Sequence, residues 1–252
     1  MWEGITMNGL LVRIGIDQQY GQWNAPVHLE SGEFVYVPIP EEKVLTRELE
    51  RSYSEIIPFL TRFSEKWGKD LHLDLGFPRI LSSRNIHLDP DFDHLTYGDV
   101  GTGRGSKITN MKEGNIIAFY GGLRPIDPIS HKLVYALMGL YIVEEVLWAM
   151  EIPEHRWKEN AHTRRQHIRD FDIIVRAKPG VSGRLEMCIP IGEWRNRAYR
   201  VRNDLLDAWG GLSVKDGFIQ RSAVPPSFLE PAKFYNWFKE QNISLIQRNN
   251  LV

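Results

Sequence analysis

A single cysteine, Cys188, stands in the 252-residue chain. No internal disulfide can form, a cysteine-ligated zinc site is excluded, and a reducing cytoplasm is the expected setting. No stretch approaches the roughly 18 consecutive apolar residues of a membrane span. The opening "MWEGITMNGLLVRIGID" carries neither the basic start nor the cleavage site of a secretory signal. Familiar catalytic signatures are missing too. "GDVGTGRGSK" fits neither the Walker loop nor the dinucleotide fingerprint, so no nucleotide cofactor is expected. Ser222 in "QRSAVPP" lacks the Gly-x-Ser-x-Gly setting of a serine hydrolase. Repeats, low-complexity tracts and an obvious linker are also absent, so residues 1–252 read as one domain.

What is present is a core. At 42% hydrophobic and 11% aromatic, the chain can bury a sizeable interior. Its net charge of −1 conceals two unequal parts. From His155 to Arg202 there are twelve Lys/Arg against five Asp/Glu, a balance of +7, and the rest of the chain carries −8. Arginine dominates the basic part, interleaved with Trp157, Phe171, Trp194 and Tyr199. Two readings follow: a face that binds a polyanion, or a set of ion pairs with the acidic N-terminal half. The halves divide near residue 150.

Hydrophobic patterning places strands at "LLVRIGID", at "GEFVYVPIP" with its residues alternating in facing, and at "EGNIIAFYGGLRP", "KLVYALMGLYIVEEV" and "FDIIVRA". A helical spacing runs from Glu41 to Gly68, broken or kinked at Pro58, and "LHLDLG" reads as a short strand or extended connection. Helices are also expected at "RNDLLDAWGG" and "EPAKFYNWFKEQN". The fold class is α+β: a curved mixed sheet or small β-barrel flanked by helices.

The densest candidate chemistry is "HLDPDFDHLTYGD", residues 87–99. In an extended strand His87, Asp89, Asp91 and Asp93 share one face. They could hold a divalent metal, with His87, Asp89 and Asp91 as ligands, or supply a general acid and base. They could equally form a turn, since Asp-Pro-Asp is good turn chemistry and the EF-hand spacing fails. Further on, "ENAHTRRQH" sets His162 three residues before Arg165, beside Arg164: either a reactive histidine with phosphate-binding arginines or an exposed basic segment. Arg104 and Lys107, in a glycine-rich loop, could grip a nucleic-acid backbone. Cys188 in "RLEMCIPIG" reads as a small buried hydrophobe rather than a nucleophile. Tyr20, Trp23, Tyr97, Tyr120 and Trp194 sit beside glycines or in loops, where aromatic rings can stack on an extruded base or pack in the core.

Several stretches together resemble the nucleotide modification associated domain family, third type: "LVRIGIDQQYGQWNAPVHLESGEFVYVPIPE", "HLDPDF", "GNIIAFYGGLRP" and "LVYALMGLYIVEEV". The resemblance covers about the first 145 residues and implies a role in DNA base hypermodification. "EGNIIAFYGGLR" is also loosely similar to a strand of EVE and PUA-like barrels, with Asn115 where that pattern has Asp. With this context, the expected function is an enzyme acting on a modified base or its substituent in DNA. Hydration or hydrolysis on a deazaguanine-type base is one such reaction. Asp17, His87, Asp89, Asp91 and His162 are the candidate catalytic residues. Tyr20, Trp23, Asn24, Tyr97, Arg104, Tyr120, Arg124, Arg164, Arg165, Arg184, Trp194 and Arg195 are the candidate base- and backbone-binding residues. The rival expectations are a reader that binds a modified base and directs a nuclease, and an RNA-directed PUA-like module.

Overall fold

Apolar β-branched runs make the strands, and they pair around one long central member. The structure, a computed structural model, describes residues 7–17, 20, 22–68, 75–126, 132–221 and 224–251. Ser222 and most of "LHLDLG" lie outside the described residues. The chain opens with β1 (Gly9–Arg13) and two short strands, β2 (Pro26–Val27) and β3 (Ile39–Pro40). The alternating strand expected between Gly32 and Pro40 is not what forms. Phe34, Val35, Tyr36 and Val37 are all buried. Tyr36 exchanges its backbone hydrogen bonds with the side chain of Asn250, at 2.8 and 2.9 Å, rather than with a strand. The long helix expected from Glu41 also starts late, as α1 (Ile57–Trp67). Pro58 lies in its first turn, where no backbone donor is needed, so proline begins this helix instead of breaking it.

Next come α2 (Arg79–Ser82), β4 (Ile86–His87), β5 (Thr96–Val100) and α3 (Ser106–Thr109). The long strands β6 (Ile116–Pro125) and β7 (Val134–Trp148) follow, then β8 (Asp172–Ala177) and β9 (Gly183–Pro190). A hairpin of β10 (Gly192–Arg195) and β11 (Ala198–Val201) leads into α4 (Asn203–Trp209), α5 (Pro231–Glu240) and β12 (Leu245–Ile246). Gly210 ends α4 at φ +74°, a left-handed cap that a side chain would strain.

The main sheet runs β1-β6-β7-β8-β5, with β2 added beside β6 and β9, carrying β12, added beside β7. Strand β7 is its spine. Its first part pairs β6 on one edge and β9 on the other, and from Val143 onward it pairs β8. β1 and β6 are parallel and the long pairs are antiparallel, so the sheet is mixed. It remains open, and the barrel expected as the alternative is not formed.

Both faces of the sheet are covered, which explains why its strands read as continuous apolar runs. On one face Val12, Phe119, Met138 and Tyr141 meet Leu60 and Phe63 of α1. On the other, Leu11, Tyr120, Leu137 and Leu185 meet Trp209 of α4 and Phe234 and Phe238 of α5. Among the described residues no helix is long and apolar enough to cross a membrane.

Candidate active site

Five separate segments meet near the start of β5. Strands β3 and β4 pair Ile39 with His87, which brings Glu41, just past β3, beside the His87 ring. Glu41 Oε2 lies 2.6 Å from His87 Nδ1. Asp89 follows two residues on and accepts the backbone N–H of Gly98, in β5, at 2.8 Å. Asn160 donates through Nδ2 to Thr96 at 3.2 Å and to Asp89 at 3.3 Å, and its Oδ1 accepts the His162 N–H at 2.8 Å. Asp172 begins β8 and sits 2.8 Å from His162 Nδ1. The chain at 164–166 is stitched to the loop after β3 by Thr46 N–H to Arg164 O at 2.9 Å and Gln166 N–H to Val44 O at 3.0 Å.

The result is two carboxylate–imidazole pairs, Glu41–His87 and Asp172–His162, with both rings turned toward Asp89. His87 Nε2 lies 3.7 Å and His162 Nε2 3.6 Å from Asp89 Oδ2. The ring centroids are 5.2 Å apart. Arg165 spans the two outer carboxylates, 3.0 Å from Asp172 and 3.4 Å from Glu41.

Electrostatics fix the protons. Burial alone would raise Glu41, but the His87 hydrogen bond and the Arg165 charge outweigh it and hold the carboxyl at about 2. Asp172 is lowered in the same way, its burial overcome by the His162 hydrogen bond and Arg165. An ionised carboxylate can only accept, so Nδ1 of each histidine carries the hydrogen of that contact. Burial brings His162 down to about 4 against the pull of Asp172, so its ring is neutral near pH 7. Asp89 is pushed well above the usual carboxylate range, chiefly by burial, although Gly98 N–H opposes this. Asp99, which accepts the Tyr97 hydroxyl at 3.0 Å, is also raised by burial and feels both Asp172 and His87.

The structure separates the residues that the sequence put on one face. Asp91 and Asp93 leave His87 and Asp89 because the chain turns at Pro90. Buried Asp91 instead accepts Arg164 Nη2 at 2.5 Å, His94 Nδ1 at 3.0 Å and Asn249 Nδ2 at 3.0 Å. It is the hub of a turn, not a partner of His87. Asp17 lies 3.7 Å from Arg13. His162, taken from a different motif, is brought in.

Most of the candidate base-binding residues have internal duties. Tyr120 is fully buried and donates to Ile219 O at 2.8 Å. Trp23 is buried against Phe77, Asn24 donates to Gly122 O at 2.7 Å, Tyr97 is buried, and Tyr20 packs at the core edge. Arg184 is buried over the Phe34 ring at 3.9 Å and donates to Phe34 O. Arg164 and Arg165 are buried in the ion pairs already described. Arg195 pairs with Glu193 and Asp216. Lys107 donates to Pro225 O and Ser227. Trp194 is exposed beside Tyr199, and Arg124, also exposed, donates to Gln22 O at 3.2 Å. The side chain of Arg104 lies outside the described set. Cys188 is buried, and that burial pushes its thiol up to about 12. Part of the basic stretch follows the ion-pair alternative: Arg164, Arg165 and Lys178 meet Asp91, Glu41 and Glu113 of the N-terminal half.

Sequence reading missed Glu41, Asp99, Asn160 and Asp172. It named Phe171 among the arginines without Trp148, the exposed ring that flanks the same glycine. Trp148 and Phe171 are 39% and 41% exposed and flank Gly101, with the Arg169 guanidinium 5.5 Å from the Phe171 ring centroid. The Gly101 turn leads to Gly105, which packs against Asp99.

Searches of curated proteins and of solved structures return no match. A family model does match, over residues 8–213, described as nucleotide modification associated domain 3. The match runs well past the first 145 residues and takes in Asn160, His162, Arg165 and Asp172. With most of the chain and every residue of the cluster inside it, the protein belongs to the nucleotide modification associated domain 3 family.

Proposed function

We propose that the protein is an enzyme that alters a base, or the substituent on a modified base, in DNA, with His87, Asp89 and His162 at its reacting centre. The observation that carries this reading is the convergence of two imidazole Nε2 atoms on one carboxylate, each ring held from behind by a second carboxylate. A network serving stability alone needs no such aim. Solvent reaches the centre from the His87 side, whose side chain is 13% exposed against 4% for Asp89 and 6% for His162. Membership in a nucleotide-modification family supports a nucleotide base as the substrate class.

Trp148, Phe171 and Arg169 form the DNA-facing surface in this reading: two exposed rings offer stacking area, and a cation beside them suits a phosphate. Addition of water to a polar substituent, or its hydrolysis, is the reaction class that the neutral His162 imidazole and a buried carboxyl serve. A nitrile or amide on a deazaguanine-type base is the first substrate to try. Cys188 has no part in it.

Mass spectrometry of nucleosides digested from canonical, deazaguanine-containing and hydroxymethylated DNA after incubation with the protein tests this. The expected result is a mass change on one modified nucleoside, lost in His162→Asn. Tight binding to a modified duplex with no mass change overturns the enzyme and leaves a reader of modified bases.

A further inference from the structure

We infer that His87 Nε2, Asp89 and His162 Nε2 form a binding site for one divalent first-row transition metal ion, of the Zn²⁺ or Fe²⁺ type. The inference deepens the reading of the same cluster as a reacting centre, and it rests on four observations.

The first is spacing. The three ligand atoms lie within 4.8 Å of one another. At 3.6 and 3.7 Å, the two imidazole–carboxylate separations are too long for hydrogen bonds. Two ligands each about 2.1 Å from a tetrahedral ion lie about 3.4 Å apart. The gaps therefore suit an ion between the side chains better than contact among them.

The second is orientation. A histidine that binds a metal through Nε2 donates its Nδ1–H to a carboxylate or carbonyl, which fixes the tautomer and raises the basicity of the ligating nitrogen. Glu41 and Asp172 do this for His87 and His162, at 2.6 and 2.8 Å. Asp89 is itself held, by Gly98 N–H and Asn160 Nδ2.

The third is charge. Three carboxyl groups, Glu41, Asp89 and Asp172, converge around one guanidinium, Arg165, and none of these side chains is more than 8% exposed. A divalent ion supplies the positive charge that this set of buried carboxyl groups lacks.

The fourth is ligand type. Two imidazoles select against Mg²⁺ and Ca²⁺, which take oxygen, and the absence of cysteine ligands selects against soft ions. Three protein ligands leave at least one position open, the pattern of a catalytic rather than a structural ion.

The test uses the full chain stripped with a chelator and titrated separately with Zn²⁺, Co²⁺ and, without oxygen, Fe²⁺, with Mg²⁺ as the control. Calorimetry should show one equivalent of each transition ion and no Mg²⁺, and bound Co²⁺ should show the visible absorption of a low-coordinate site. His87→Asn and His162→Asn should abolish that binding. Glu41→Gln and Asp172→Asn should keep the stoichiometry and weaken affinity by about 10–100-fold. Wild-type chain that takes up no stoichiometric transition ion overturns the inference without any variant having to fold. So does a folded His87→Asn that binds as well as wild type. Metal bound without turnover of any DNA base would remove the proposed function and leave this site standing, whereas turnover by a chain that takes up no transition ion would do the reverse.

Discussion

Gly98 leaves room for His162. A β-carbon on Gly98 would lie 2.6 Å from His162 Cδ2, nearer than such atoms approach. The same residue gives its backbone N–H to Asp89, so one glycine sets both the ring and the carboxylate. Gly98→Ala is expected to cost about 1–3 kcal/mol, as overpacking in a tight interior does. Its larger effect should be on the site: at least a tenfold fall in turnover of modified DNA, read by nucleoside mass spectrometry beside a melting curve. A stable Gly98→Ala protein with the wild-type rate would show that the position of His162 does not matter.

Asp91 should govern acid stability. Burial works to raise it, but the His94 hydrogen bond and the Arg164 charge bring it to about 2, below the ordinary value of 3.8. A group depressed in the folded state stabilises above its unfolded value and loses that contribution as pH falls through the folded one. The Asp91 contribution is therefore full above about pH 4 and lost between about pH 4 and pH 2. Asp91→Asn leaves the Arg164 charge buried and unpaired, a loss of about 3–5 kcal/mol. Chemical denaturation of both proteins at pH 7 and pH 3 checks this, and the difference between them should narrow at the lower pH.

Cys188 should resist alkylation in the folded protein. It is buried, with its thiol pushed up to about 12, so almost no thiolate exists at pH 8. Iodoacetamide should label the native chain far more slowly than the urea-unfolded one. Rapid labelling of native protein, confirmed by peptide mass, would contradict the buried setting described for β9.

DNA affinity should depend on the exposed rings and not on the buried ones. Trp148→Ala and Phe171→Ala are each expected to weaken binding to a modified duplex by roughly 5–150-fold, the range of losing one stacked base. Tyr120→Phe removes only the hydrogen bond to Ile219 and should cost about 1 kcal/mol of stability with affinity unchanged. Fluorescence anisotropy separates these outcomes, and the opposite ranking would move the DNA to another face.

The sequence made some of this legible. His87 and Asp89 could be found because a single residue of chain separates them, and the strands of the main sheet because β6 and β7 are long and apolar. His162 stood out through its arginine neighbours, although those arginines turned inward. What a net charge of +7 over one segment cannot reveal is where its partners lie, and Glu41 and Asp91 come from the other half of the chain. Asp172 and Glu41 carry no local pattern; each is one acid beside a strand, given meaning only when β3–β4 and β5–β8 pair. Tyr120 was misread for a related reason. Its neighbour Gly121 marks it as a ring with space to stack, yet both lie in the covered interior of β6. A sheet buried on both faces leaves no alternation to separate a stacking ring from a packed one.

The span of Arg165 across Glu41 and Asp172 also has a consequence during synthesis. Arg165 follows Glu41 by 124 residues, and Asp172 comes later still. At about 5–20 residues per second, His87 and Asp89 emerge from the ribosome and wait on the order of 10 s before the other half of their constellation exists. A nascent chain can form the first strand pairs in that interval but not the assembled cluster, so the centre arises only after Asp172 has been made.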